Sequence, residues 1–263
     1  MLKISIITVT YNSAKTLEDT LSSVMKQSYG NIEYIIIDGG STDHTMEMVQ
    51  PFRSRIAHVV QEPDNGIYDA LNKGIMLATG DIIGILHSDD VFNSTDTIAH
   101  VMQDFSTLSV DSVYGDLVYI NYENSRIVRY WESGDFYPRR LKFGWMPPHP
   151  AFYVKKSIYQ KYGLFDTSYK ISADYDLMLR FLYHGKISTV YLPEVLVKMR
   201  CGGTSNKNLK NILVKSREDL RAIRTNDLGG FYTLACKNLF KLPQLLRRPK
   251  YWNRSESVCP SEY

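Results

Sequence analysis

The run His87-Ser88-Asp89-Asp90 closes an apolar stretch, Ile82-Ile83-Gly84-Ile85-Leu86, and sets two carboxylates side by side. Like charges so placed need water or a counter-ion. A divalent cation with oxygen ligands, Mg2+ or Mn2+, is one that both could face, and through it they could hold phosphates that they would otherwise repel. Three earlier apolar runs end in the same manner. Ile4 to Val9 gives way to Thr10-Tyr11-Asn12, Ile32 to Ile37 to Asp38-Gly39-Gly40-Ser41-Thr42-Asp43, and Ile56 to Val60 leads to Glu62-Pro63-Asp64-Asn65-Gly66. An acid such as Asp38 suits a base N–H or a ribose hydroxyl, and Tyr11 either packs or stacks on a flat ring. Taken singly, each segment is also a turn or a helix cap. Together they do chemistry only if one sheet brings all four tips to one rim.

The elements between the tips supply such a sheet. Each apolar run is short and β-branched, as a buried strand is. Helical spacing separates them: Leu17, Leu21 and Val24; Met46, Met48 and Val49; Leu71, Ile75 and Ala78. Strand and helix in alternation predict an α/β fold with a doubly wound, parallel sheet, whose ligands sit at the carboxyl ends of the strands. The second half is less regular. A helix over 95–105, strands over 113–122 and 126–132, and a loop over 133–149 ending in Pro147-Pro148-His149 precede a short strand at 151–154. Helices follow over 157–162 and 173–184, then two short strands around Pro193 and helices over 209–224 and 231–246.

Neither G-x-G-x-x-G nor G-x-x-x-x-G-K-[ST] follows the first strand, which disfavours a dehydrogenase and a P-loop NTPase. The longest apolar stretches are strand-length, the opening Met1-Leu2-Lys3 leads to the expectation of no signal peptide, and three scattered cysteines fit a reducing compartment. The net charge of +3 is uneven. Residues 1–197 hold 17 Lys and Arg against 23 Asp and Glu, whereas residues 198–254 hold 14 against 3. A basic C-terminal quarter suggests a surface that meets anions. The arrangement of bases matches no nucleic-acid module, so nucleic acid is not expected as a partner.

The runs SIITVTYN, IIIDGGSTDHT, EPDNGIYDALNKGI and GDIIGILHSDD, in this order, resemble the family 2 glycosyltransferases of the GT-A fold. Within that family they are most similar to bacterial enzymes of surface polysaccharides such as O-antigen and colanic acid, with the resemblance extending to about residue 205. It implies a Rossmann-like, mostly parallel sheet with acceptor-side elements and terminal helices. Its nucleotide-sugar half would span 1–105 and its acceptor half 106–205, followed by a basic helical region, 206–252, and a tail, 253–263. It also implies residue roles. Thr10 and Tyr11 would flank the nucleobase, with Asp38 bound to it. Asp64, Asn65, Asp69 and Lys73 would lie along the donor. His87-Ser88-Asp89 takes the place of the family's D-x-D, so Asp89 would hold Mn2+ or Mg2+ at the diphosphate with Asp90 in support. His87 stands where an acid usually meets the ribose. Arg200 and Gly202-Gly203-Thr204-Ser205 resemble a segment that closes over the donor phosphates.

Sugar transfer needs a base for the acceptor hydroxyl. The run ISADYDLMLRF offers Asp174 and, in reserve, Asp176. Locally Asp174 is equally a helix-start acid that complements the dipole; the resemblance favours the base. His149 falls where relatives keep a polar group at the acceptor or diphosphate. The implied reaction is inverting transfer from a nucleoside-diphosphate sugar, UDP by default, to a saccharide acceptor, lipid-linked through a polyprenyl diphosphate. Leucines and aromatics interleaved with Lys237, Lys241, Arg247, Arg248 and Lys250 read either as a helix packed on the sheet or as peripheral contact with an anionic membrane at the cytoplasmic face. A sugar-nucleotide-binding protein with a degenerate site and a nucleotidyltransferase are the competing readings.

Overall fold

The computed structural model describes residues 1–121, 125–201 and 209–239. The β-branched runs form strands β1 (Ile4–Thr10), β2 (Ile32–Asp38), β3 (His58–Gln61) and β4 (Ile82–Ile85), connected by helices α1 (Leu17–Met25), α2 (Thr45–Val49) and α3 (Ile67–Leu77). All four strands are parallel, in the order β3-β2-β1-β4. Then come β5 (Asp90–Phe92), α4 (Thr97–Thr107), β6 (Ser112–Ile120), β7 (Ile127–Trp131), α5 (Pro138–Lys142) and β8 (Phe152–Lys155). The described chain ends with α6 (Lys156–Tyr162), α7 (Ala173–Leu179), β9 (Thr189–Arg200), α8 (Leu209–Thr225) and α9 (Phe231–Leu239). The sheet continues past β4 as β8-β6-β9-β5, with β7 also on β6. Strand β8 is antiparallel to β4 and β6, and β9 is parallel to β6. The mostly parallel α/β sheet of the sequence reading is present, with antiparallel joins in the second half.

Period-two alternation builds the two faces. Ile7, Val9, Ile35, Ile37, Ile83 and Ile85 pack with Leu71 and Ile75 of α3 and with Leu177 of α7. Ile4, Ile6, Tyr34, Ile36 and Ile82 pack on the other face with Leu17 and Leu21 of α1 and with Val101 of α4. One difference from the sequence concerns Pro193. The two short strands expected there are one strand, β9, whose register against β6 slips where Tyr114 pairs Tyr191 and Asp116 pairs Val195. The extra residues bulge out around the proline, which has no N–H for the ladder.

At the end of the sheet remote from the strand tips, Glu33 is buried and accepts hydrogen bonds from Lys3 Nζ (2.8 Å), Ser5 Oγ (2.5 Å), Thr79 N (2.7 Å) and Thr79 Oγ1 (2.6 Å). Burial alone would raise this carboxyl, but those donors hold it down at about 2. A depressed folded pKa stabilises above the unfolded value, and the contribution is lost as pH falls through the folded one. Glu33→Gln should therefore destabilise the protein at pH 7 by on the order of 3 kcal/mol. Urea melts should show the penalty shrinking between the ordinary value of 4.5 and 2.

Candidate active site

The four strand tips meet and are stapled to one another. Asn12, with φ of 50°, donates its N–H to Ser41 Oγ (2.8 Å), and its Oδ1 accepts from Thr42 N (2.9 Å). Ser13 Oγ and Ser88 Oγ are 2.9 Å apart. The second and third tips touch at Gly39, where an added Cβ would stand 2.4 Å from Asp64 Oδ2 and would push that carboxylate aside. Around this rim lies a cleft of about 1150 Å3. That exceeds the size of an ordinary small-molecule pocket and leaves room for two substrates.

Thr10, Tyr11, Asp64, His87, Ser88, Asp89, His149, Asp174 and Arg200 all line the cleft. Tyr11 is 62% exposed there, and the Thr10 hydroxyl is buried without a hydrogen-bond partner. Arg200 Nη1 reaches the Asp89 carbonyl at 3.3 Å and Nη2 reaches Asp19 Oδ2 at 2.5 Å, tying the end of β9 to the fourth tip. Residues 202–208, which hold the glycine segment expected to cover the phosphates, lie outside the described residues.

Other sequence-derived candidates are not among the residues that line the cleft. Asp38 is fully buried and spends its carboxylate on Gly40 N, Ser41 N and Ser41 Oγ, so it shapes the second tip. Asn65 N donates to Asp69 Oδ2, and Lys73 pairs with Glu62 and Asp69, which builds the third tip from behind. Asp90 is fully buried with neither oxygen hydrogen-bonded, and burial followed by the Asp89 charge pushes its carboxyl well above the usual range. Asp176 is buried too, taking Arg180 Nε at 2.9 Å and Asn226 Nδ2 at 2.9 Å. Asp174 and Asp176 stand two residues apart on a helix, hence on nearly opposite sides, and only Asp174 is turned to the cleft.

Two histidines connect the fourth tip to Asp174. His149 Nδ1 lies 3.3 Å from Asp174 Oδ2, and His149 Nε2 lies 3.1 Å from His87 Nε2. A carboxylate only accepts, so His149 donates from Nδ1, and its Nε2 then accepts from His87. His87 is left with a bare, buried Nδ1; burial, then His149, lower its pKa to about 3 and keep it neutral. Burial would raise the Asp174 carboxyl, which is 20% exposed, but the hydrogen bond from His149 and then the charges of Lys237 and Lys215 hold it well below the carboxylate range. His149→Ala removes the largest of these lowering effects. Carbon NMR of the Asp174 carboxyl should then show it titrating at higher pH than in the wild type.

The lysines come from the C-terminal helices, which pack on the body. Ala222, Ile223 and Leu228 join its core, and Glu218 accepts the backbone N–H groups of Lys170, Ile171 and Ser172 that lead into α7. Lys215, Lys237, Arg140 and Trp145 also line the cleft, and the strand-tip motifs gave no sign of them. The one available signal was Glu218-Asp219, two adjacent acids inside a basic stretch. Lys237, which the sequence placed either on a helix packed against the sheet or on a membrane-facing one, is 5% exposed. The remainder of that basic segment, from residue 240 onward, lies outside the described residues.

Among the described residues, no three His, Cys, Asp or Glu side chains are placed to cage a metal. Asp89 on the open cleft fits the other mode, in which a cation takes one carboxylate and completes its shell with substrate phosphates and water. No helix among them is long and apolar enough to cross a membrane.

Residues 5–168 match the family model described as "Glycosyl transferase family 2". A PGL/p-HBAD biosynthesis glycosyltransferase of Mycobacterium bovis (strain BCG / Pasteur 1173P2) is 30% identical over 229 residues, covering 83% of this chain and 87% of that protein. Among solved structures, S. aureus TarS 1-349 in complex with UDP-GlcNAc aligns with a TM-score of 0.66 at 18% identity, over 91% of this chain and 71% of the other. The mannosyltransferase PcManGT from Pyrobaculum calidifontis in complex with GDP-Man and Mn2+ aligns with a TM-score of 0.65 at 17% identity, over 93% and 73%. At such identities the structural likeness speaks for the fold.

Proposed function

Because this chain belongs to glycosyl transferase family 2 and is a glycosyltransferase, we propose that it transfers a sugar, with inversion, from a nucleoside-diphosphate donor to a lipid-linked saccharide. The observation that carries this reading is the single cleft on which Tyr11 and Asp64, Asp89, and Asp174 all open. The base of the donor stacks on Tyr11, with the idle Thr10 hydroxyl beside it. Its diphosphate lies at Asp89. A divalent cation held there by Asp89 and the two phosphates would neutralise charge on the leaving group. Asp174 takes the proton of the acceptor hydroxyl as the acceptor oxygen bonds to the anomeric carbon. The bond from that carbon to the diphosphate oxygen breaks in the same step. His149 fixes the orientation of the carboxylate through its 3.3 Å contact. One base on one face gives one displacement, hence inversion.

A lipid-linked acceptor is supported by exposed apolar groups near the lysine end of the cleft. Phe143, Tyr232 and Phe231 are all exposed, the rings of Phe143 and Tyr232 meet at 6.3 Å, and Arg224 lies over Phe231. Aromatics mixed with arginine suit the headgroup zone of an anionic membrane. This reading places the enzyme at the cytoplasmic face, in the synthesis of a bacterial surface glycoconjugate.

The test is a donor panel beginning with UDP-GlcNAc and GDP-mannose, assayed on polyprenyl-diphosphate-GlcNAc and PGL/p-HBAD-type acceptors with Mn2+ and with EDTA. Metal-dependent release of nucleoside diphosphate supports the reading. Release of pyrophosphate would instead mark a nucleotidyltransferase. Donor binding without turnover on any acceptor would mark a binding protein.

A further inference from the structure

We propose that the cleft beyond Asp174 holds a subsite for an anionic group of the acceptor, phosphate or carboxylate, gripped by Lys237 and Lys215. The inference rests on the reading that Asp174 faces the acceptor, and it names a chemical requirement of that acceptor. Lys237 Nζ sits 2.7 Å from Asp219 Oδ1 and 3.6 Å from the centre of the Tyr175 ring, while Lys215 Nζ sits 2.7 Å from Asp219 Oδ2. Two ammonium groups thus share one buried carboxylate. The neighbouring acids are committed elsewhere: Glu218 to three backbone N–H groups, and Asp176 to Arg180 and Asn226. The excess positive charge falls on Asp174, the catalytic carboxylate, and a buried ammonium is costly unless paired.

The fold holds these charges in place by specific means. Gly144, at φ of 76°, lies against α9 so closely that a Cβ there would stand 2.4 Å from the Lys237 Cα. Any side chain at 144 would lift α9 and draw the ammonium out of the cleft. Burial lowers Lys237 to about 7, against the pull of Asp219 and with the push of Lys215. Burial thus opposes its charge while Asp219 and Asp174 sustain it, and a further anion in the cleft would sustain it more.

An anion at this point also serves the reaction. Lys237 and Lys215 help to hold Asp174 below the carboxylate range, where it is a weak base. An acceptor phosphate or carboxylate on the lysines cancels their field and raises the proton affinity of Asp174. The base is then stronger when an acceptor is seated than when water alone faces the donor, which disfavours donor hydrolysis.

The experiment is calorimetry in two stages. The protein is first titrated with UDP and Mg2+, then, once loaded, with inorganic phosphate in one arm and acetate in another. The expected result is anion binding with UDP retained, the tighter arm naming the acceptor group. Lys237→Met and, separately, the more exposed Lys215→Met should each weaken that binding about tenfold, as loss of one charge-assisted hydrogen bond implies. UDP affinity should be unchanged in both. An anion that displaces UDP, or that binds both variants as it does the wild type, overturns the subsite, as does failure of both phosphate and acetate to bind the UDP-loaded protein. Failure of UDP itself to bind in the first stage counts against the donor reading instead.

Discussion

Asp174→Asn should reduce sugar transfer about 10^2- to 10^4-fold, the range supplied by a positioned general base, and leave nucleotide affinity unchanged. The asparagine keeps the size of the side chain and an oxygen for the His149 N–H, so the wall of the cleft stays as it is. What it loses is the ability to take a proton. A variant that only disturbed α7 would weaken donor binding and stability together with turnover. Equal turnover in Asp174→Asn and wild type, with the fold intact, would remove Asp174 from the chemistry. Asp176→Asn makes the contrasting control. It breaks the pairing with Arg180 inside the protein, so the loss there should be of stability.

Asp89→Ala should cost about a thousandfold in turnover, since neutralising the leaving diphosphate is worth several kcal/mol. Unlike Asp174→Asn, it should also weaken nucleoside-diphosphate binding in Mn2+ and make activity nearly equal in Mn2+ and EDTA. Asp90 is fully buried and is not among the residues that line the cleft, so it does not stand in for its neighbour. If Asp89→Ala keeps a full Mn2+ response, the cation is held by other groups.

These two carboxylates come from regions that differ in how much the chain discloses. The parallel half is legible because each strand is a short β-branched run and each tip is a polar cluster. Strand periodicity and turn chemistry are both local properties. The division of labour at the tips was not legible. Asp38 and Asp64 look alike in sequence, yet one is consumed by the amides of its own loop and the other opens on the cleft. Helix geometry separates Asp174 from Asp176 once the frame of α7 is known, and that frame depends on packing against α8. Lys215 and Lys237 were the least legible. In a basic amphipathic stretch every lysine reads as solvated, and only Asp219, 18 residues from Lys237, pulls that one inside. Pro193 misled for a related reason, since a bulge that rescues a strand from a proline needs the partner strand β6.

A crystal structure of the protein with UDP and Mn2+ tests the central claim most directly. The account predicts uracil against Tyr11, and the cation bound by the Asp89 carboxylate and both phosphates. The terminal phosphate should point along the cleft toward Asp174. UDP bound away from the four strand tips, or a cation held without Asp89, would contradict it.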